Sequence, residues 1–255
     1  MTQTSTGAPE VKSAARTMEL LEHLAAQVGQ PVRLRDITEA LGTPRSSTHA
    51  LLRTLVSRGW VRTDRTGTCY ALGIRALLVG TSFLDADPYV RAVRPVMVGL
   101  SELLNETVHL ARLDGDDVVY LATQESHRYL RTVSRVGRRL PAHATGLGKA
   151  ILAERPGDVP ADLPGVTART ITERGALLAD LAAVRERGYA VDDEENTPGL
   201  RCFGVALRYT TPVRDAFSCS VPLARLDAGR EAEILAAMED ARRRAEQVAP
   251  PEAMF

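Results

Sequence analysis

The chain has little cysteine. Its 255 residues include only Cys69, Cys202 and Cys219. An odd number without C-x-x-C spacing excludes a disulfide framework or a zinc knuckle as the organising element, and it fits a reducing, cytoplasmic setting. Long apolar runs are missing too, since nothing approaches the roughly 18 unbroken apolar residues that mark a membrane span. The first ten residues, MTQTSTGAPE, lack the basic start and apolar core of a secretory signal and read as a disordered arm. There is no internal repeat. Net charge is also absent, with 32 Lys/Arg against 32 Asp/Glu.

That neutrality hides an asymmetry. Residues 1–75 hold ten Lys/Arg and six Asp/Glu, a balance of +4, and the remainder holds 22 against 26, a balance of −4. A basic amino-terminal third on a mildly acidic body suits a protein of which one end meets a polyanion. The length allows one large domain or two ordinary ones, with enough apolar content to build cores.

Periodicity divides the amino-terminal third. Apolar residues at helical spacing predict a helix over 13–27, with Ser13 at its N-cap. A second helix covers 33–42 and closes on Gly42. A third covers 43–59, with Thr43 at the N-cap, Pro44 at the first helical position and Gly59 past the end. WVRTDRTGTCYAL (60–72) reads as strand, tight turn at Thr66–Gly67, strand. This is the order of a winged helix-turn-helix. On the third helix Leu51, Leu52, Leu55 and Val56 define a buried side, with Thr48 turned the same way. Arg45, Ser46, Ser47, His49 and Arg53 are the expected DNA-contacting residues there, joined by Arg62 and Arg65 on the wing. Hydroxyls and the helix N-terminus suit phosphates, and arginine suits guanine edges. The competing reading is an ordinary solvated helix in a three-helix bundle, against which the wing and the charge asymmetry weigh.

Beyond residue 73 a further helical pattern runs to Phe83 and breaks at DADP (85–88). A helix over 88–105 follows, then strand-like runs at 107–113, 117–123 and 129–136. A helix begins near Thr145, another spans 173–187, and strands lie near 189–193, 201–209 and 216–221 before a last helix over 228–247. Strands mixed with helices around a mostly antiparallel sheet give an α+β domain.

Three stretches carry a resemblance to a known family: LLRTLVSRGWVR leading to YALG, LPAHATGLGKAILA (140–153) and RERGYAVDDEENTPGLRC (185–202). With these the chain closely resembles the IclR family of bacterial transcriptional regulators over nearly its whole length. The resemblance implies a winged helix-turn-helix DNA-binding domain (1–75), a linker helix (76–87) and a GAF-like effector-binding domain (88–255). It also implies a homodimer or a dimer of dimers on double-stranded DNA with a palindromic operator. It leaves repressor and activator both open. The chain departs from the family pattern at Ala50, where a long basic residue is usual, which shifts base readout toward Ser46, His49 and Arg53. It departs again at FGVALRYT (203–210), where small residues normally lead into a Pro-Val-Phe-Asp-like turn.

The four consecutive acids Asp192, Asp193, Glu194 and Glu195 raise a separate question. In a strand they alternate, sending Asp192 and Glu194 one way and Asp193 and Glu195 the other, so a shared metal ion is not expected. No cofactor is expected either. Cys202 with His109 or His143 lacks an accompanying oxyanion-hole signature, and a cysteine near a strand is usually a small buried hydrophobe. Gly146 and Leu147 open a helix whose free amides favour a carboxylate, and Ser218 and Ser220, two apart on a strand, face one side. The resemblance implies that Gly146, Leu147, Asp192, Cys202, Ser218 and Ser220 line a pocket for a small carboxylate-type effector. Glu194 and Glu195 are expected to cap, to pair with arginines or to face water. The alternative is a small-molecule enzyme carrying a regulatory DNA-binding appendage.

Overall fold

The computed structural model describes residues 10–27, 29–131 and 134–251. The expected amino-terminal arm therefore lies outside the described residues, apart from Glu10. The chain forms two compact units that divide between Phe83 and Leu84.

The first unit contains α1 (Lys12–Ala26), β1 (Val32–Arg33), α2 (Leu34–Ala40), α3 (Arg45–Ser57), β2 (Val61–Thr63) and β3 (Cys69–Leu72). Leu20 and Leu24 of α1, Ile37 of α2 and Leu52 and Leu55 of α3 meet Val32, Val61 and Tyr70 in one core. This follows from helical spacing, because residues three and four apart share a helix face. The three strands form an antiparallel sheet in the order β1-β3-β2, so the wing carries a third strand that periodicity assigned to the start of a helix.

Both expected N-caps are corrected. Helix α1 is preceded by Val11, and Ser13 lies in its first turn, where its carbonyl accepts from the Thr17 hydroxyl. Helix α3 is preceded by Pro44, and the Thr43 hydroxyl pairs with that of buried Thr48 at 2.7 Å. A hydroxyl partner five residues on has taken the place of a backbone amide. The end of α3 matches expectation: the Gly59 amide donates to Val56 and the Trp60 amide to Leu55, with Gly59 at φ +74°. This is a Schellman closure, and it turns the chain into β2.

Helix α4 (Ile74–Ala86) spans the division and has no buried residue. In the second unit, α5 (Pro88–Leu104) starts on Asp87, whose carboxylate accepts from the Tyr89 and Val90 amides. There follow β4 (Thr107–Asp114), β5 (Asp117–Gln124), β6 (Arg139–Pro141), α6 (Gly146–Glu154), α7 (Arg174–Arg187), β7 (Ala190–Asp193), β8 (Leu200–Leu207), β9 (Asp215–Pro222) and α8 (Ala228–Val248). The strands pair antiparallel in the order β6-β5-β4-β9-β8-β7.

Alternation along the strands sends side chains to opposite faces. Val108, Leu110, Phe203, Val205, Phe217 and Cys219 go to one face, where α5 and α8 cover them with Met97, Leu100, Ile234 and Met238. Ala111, Ala206 and Ala216 go to the other, under Leu147 and Ile151 of α6 and Leu177 and Leu181 of α7. The small residues on that second face let α6 lie close to the sheet.

The strand expected over 129–136 does not form among the described residues. The free edge of β5 is taken by β6, and Tyr129 and Leu130 stay exposed. No helix among the described residues is long and apolar enough to cross a membrane.

Candidate functional site

Two surfaces gather the residues singled out above, one in each unit.

In the first unit, Arg45, Ser46 and His49 of α3 line a cleft of about 610 Å³ with Arg33, Leu34 and Arg35 on one side and Gly67 and Thr68 of the wing turn on the other. His49 and Arg53 also border a second hollow of about 650 Å³ that reaches Ser57 and Thr63. Arg62 and Arg65 are exposed on the wing without lining either, and Ser47 is half-buried. Asp64 organises the wing turn: its carboxylate accepts from the Thr68 and Cys69 amides at 2.9 and 3.0 Å and from the Thr66 hydroxyl. These donors, the Thr66 hydroxyl foremost, hold the Asp64 carboxyl well below the usual range. Asp64 is thus committed to its own turn. Arg33, Arg45, Arg53, Arg62 and Arg65 have no carboxylate partner among the described residues, which leaves their charge available to phosphate. Arg33 and Arg35 were missed from the sequence. They stand at the β1–α2 junction, and neither falls on the helix wheel that directed attention to α3.

In the second unit the strand register assembles a polar surface. Thr107, Ser220, Cys202 and Asp192 stand opposite one another across β4, β9, β8 and β7, and His109, Ser218 and Gly204 form the next row. A narrow pocket lies on these rows, with Gly146 and Leu147 of α6 over it and Tyr120, Ser134, Arg138 and Asn196 around it. Its cavity is about 30 Å³, room for a water molecule or two. All six residues expected to surround an effector come together here.

Two glycines make this closeness feasible. A Cβ on Gly204 would lie 2.0 Å from the Gly146 carbonyl oxygen, and one on Gly146 would lie 3.0 Å from that of Cys202. The first turn of α6 therefore rests directly on the β8 backbone. Thr145 caps α6 by accepting from the Gly148 amide at 3.0 Å, which leaves the amides of Gly146 and Leu147 without an intrahelical acceptor.

Individual groups in the pocket are strongly perturbed. Asp192 is pushed up to about 6, first by burial and also by the charge of Glu195, against the hydrogen bonds from the Asn196 and Glu195 amides. Burial and the nearby Asp192 push the Cys202 thiol well up, and its sulfur sits 3.2 Å from the Ser220 hydroxyl. His109 is pushed down to about 3, mainly by burial and secondarily by the charge of Arg138, so it is neutral at pH 7. Its Nδ1 lies 3.1 Å from the Thr123 hydroxyl. His143 is elsewhere, with Nε2 on the Pro164 carbonyl.

The acidic run departs from strict alternation. Strand β7 ends at Asp193, and Glu194 takes a left-handed conformation at φ +62°, which turns Glu195 inward beside Asp192. Asp193 faces Arg201 and Arg169, while Glu194 accepts from the Gly199 amide and faces Arg169. Glu195 does not pair with an arginine or face water. It is buried against Lys149, with Nζ–Oε1 at 2.5 Å.

The IclR helix-turn-helix domain matches residues 13–65, and the bacterial transcriptional regulator IclR C-terminal domain matches residues 82–248. The chain belongs to the IclR family. It is a ligand-responsive, DNA-binding transcriptional regulator of the IclR type, with the winged helix-turn-helix and α+β domain of that family. It is 33% identical over 238 residues to the HTH-type transcriptional regulator BhcR of Paracoccus denitrificans, covering 91% of this chain and 83% of that protein. It is 34% identical over 234 residues to the transcriptional repressor IclR of Escherichia coli, covering 88% and 85%. In fold it is similar to the Thermotoga maritima IclR crystal structure, with a TM-score of 0.71 over 93% of this chain and 98% of that one at 24% identity.

Proposed function

We propose that the pocket beneath α6 holds a small organic acid, and that its occupancy sets how tightly α3 and the wing hold a palindromic operator. The observation that carries this is the convergence on one cavity of the α6 amides of Gly146 and Leu147 with Ser218, Ser220, Cys202 and Asp192. The Ser218 hydroxyl has no partner among the described residues, and amides at a helix start favour an anion. In this arrangement the amides and the two serines take the carboxylate, and Asp192 meets a hydroxyl or hydrated carbonyl. A cavity this narrow favours a short ligand and requires side chains at its mouth to move aside.

The ligand is bound and released unchanged. Burial disfavours the Cys202 thiolate, and a thiolate is what a cysteine nucleophile needs. On the DNA side, Arg45, Ser46, His49 and Arg53 read the major groove, with Ser47, Arg62 and Arg65 on the flanking backbone. The DNA-binding domain is assigned to 1–75, the linker helix to 76–87 and the effector domain to 88–255. A ligand changes operator affinity only by binding two domain arrangements unequally. The regulator acts in the cytoplasm as a homo-oligomer. The apolar side chains of Ile74, Leu77, Leu78 and Phe83 are all more than half exposed, as befits a surface that a second copy covers.

A thermal-shift screen of keto, hydroxy and aromatic acids, followed by operator titration, tests the proposal. A stabilising acid should also shift operator affinity, and Ser218→Ala with Ser220→Ala should blunt both effects. If that double variant responds at the wild-type concentration of acid, the pocket has been misassigned.

A further inference from the structure

Arg138 is the residue of the pocket wall that the clamp on a single carboxylate leaves without a task. It directly precedes β6, with its carbonyl accepting from the Tyr120 amide at 2.9 Å and its amide donating to the Arg135 carbonyl at 3.2 Å. Successive residues on such a strand edge point to opposite sides, and the two neighbouring arginines do so. Arg139 turns outward to the carboxylates of Asp114 and Asp117, at 2.5 and 3.2 Å. Arg138, a half-buried residue, lines the pocket, and its side chain has no ion-pair or hydrogen-bond partner among the described residues. Its charge is felt there, adding to the burial that keeps His109 neutral. Arg138 is thus the one cation among the described lining residues.

Two further donors among the lining residues are idle. Nδ2 of Asn196 and Oγ of Ser134 both line the same pocket, and both are buried without a hydrogen-bond partner among the described residues. Buried donors left unmade are costly, and native proteins rarely tolerate them without a ligand or water. Asp192 does not serve them, because its Oδ1 is occupied by the Glu195 and Asn196 amides and it forms no ion pair with Arg138. Beyond the α6 amides and the serines, the pocket lining therefore offers further donors without a partner, on Arg138, Asn196 and Ser134.

We infer that the effector is a short dicarboxylate, with Arg138 the specificity-determining residue for its second carboxylate and Asn196 and Ser134 assisting. The inference rests on the reading of this cavity as the effector site and adds to it the class of acid. A monocarboxylate meets the α6 amides and the serines and leaves an arginine and two buried donors unsatisfied. A diacid of three to five carbons can meet Arg138 as well as the α6 amides and the serines once the side chains at the mouth of this narrow cavity move aside. A guanidinium suits this task because its planar fork matches a carboxylate with two parallel hydrogen bonds.

The test is isothermal titration of the full-length protein with malonate, succinate and glutarate, each against the monocarboxylate of equal carbon number (propionate, butyrate, valerate). In the wild type at least one diacid should bind tenfold or more tighter than its monoacid, the scale of one charge-assisted hydrogen bond. Arg138→Gln should erase that preference, weakening the diacid at least tenfold more than its monoacid. Ser218→Ala with Ser220→Ala should weaken both acids of a pair alike. Equal binding of diacid and monoacid by the wild type overturns the inference while leaving the pocket assignment standing. Equal weakening of both acids by Arg138→Gln does the same. Failure of both series to bind, or binding indifferent to the serine pair, removes the effector-pocket reading and this inference with it.

Discussion

Lys149 Nζ stands 2.5 Å from Glu195 Oε1 and 2.8 Å from Asp180 Oδ2. One cation of α6 thereby ties the acidic turn after β7 to α7. Lys149 is 1% exposed, and a buried cation is tolerated only with partners of this kind. Removing it leaves the buried Glu195 carboxylate beside Asp192 without its counter-charge, and breaking one partner of a buried pair typically costs about 3–5 kcal/mol. Lys149→Met should lose stability on that scale in urea or guanidinium melts. Adding Glu195→Gln to it should recover part of the loss, because an amide needs no counter-charge. A Lys149→Met protein that melts like wild type would show that the triad contributes nothing.

The buried carboxyl of Asp192 gives a pH signature. Its folded pKa of about 6 lies above the ordinary 3.8, so the folded state holds the extra proton. The associated stabilisation is complete below about pH 4 and is lost as pH rises through about 6. Asp192→Asn carries no charge at any pH and keeps an acceptor for the Glu195 and Asn196 amides. It should be more stable than wild type at pH 7–8, by no more than about 2–3 kcal/mol for a rise of this size, and the difference should vanish by pH 4. A difference that is flat over pH 4–8 would show that Asp192 titrates normally.

Thiol chemistry separates binding from catalysis. Cys202 and Cys219 both have thiols pushed up by burial, Cys202 with Asp192 beside it, so little thiolate forms near neutral pH. Iodoacetamide at pH 8 should leave both unmodified in the native protein and label them only after unfolding, as read by peptide mass spectrometry. Cys202→Ser should alter effector affinity slightly and abolish no reaction. Any turnover lost with that substitution would put the enzyme alternative first.

The helices, most strands and the convergence of six pocket residues were legible because periodicity and family motifs are both local signals. Glu195 was misread for a reason that locality cannot repair. Alternation assigns it to the face opposite Asp192, and only the left-handed backbone at Glu194 reverses that. The run over 129–136 has strand composition, yet its described residues form no strand, and β6 occupies the β5 edge instead. Pairing across distant segments decides such cases. Arg138 escaped notice similarly, since RR at 138–139 gives no sign of which guanidinium turns inward.

The arginines of the first unit should divide into two classes on DNA. Arg53 lies on the exposed side of α3, beside the hollow that reaches the wing, and if its guanidinium meets a base edge, Arg53→Ala should cost about 1–3 kcal/mol on the operator and relax specificity at one position. Arg33 and Arg35 flank the cleft at the start of α2, away from the helix face that enters a groove. Each should meet a phosphate, so Arg33→Ala or Arg35→Ala should weaken operator and random DNA about equally. A variant that neutralises one phosphate fewer releases fewer counterions, so the slope of log affinity against log salt should become shallower by about 0.9 per phosphate. Arg35 also pairs loosely with Asp36 at 3.3 Å on an exposed surface, an interaction worth little that phosphate can displace. The measurement is binding of wild type, these three variants and the joint Arg45→Ala, Arg53→Ala variant to an operator of two half-sites and to unrelated duplex, at several salt concentrations. If Arg45 and Arg53 can be replaced together without loss on the operator, α3 is not the reading helix. If Arg33→Ala and Arg35→Ala leave the salt slope unchanged, the cleft they line lies off the DNA.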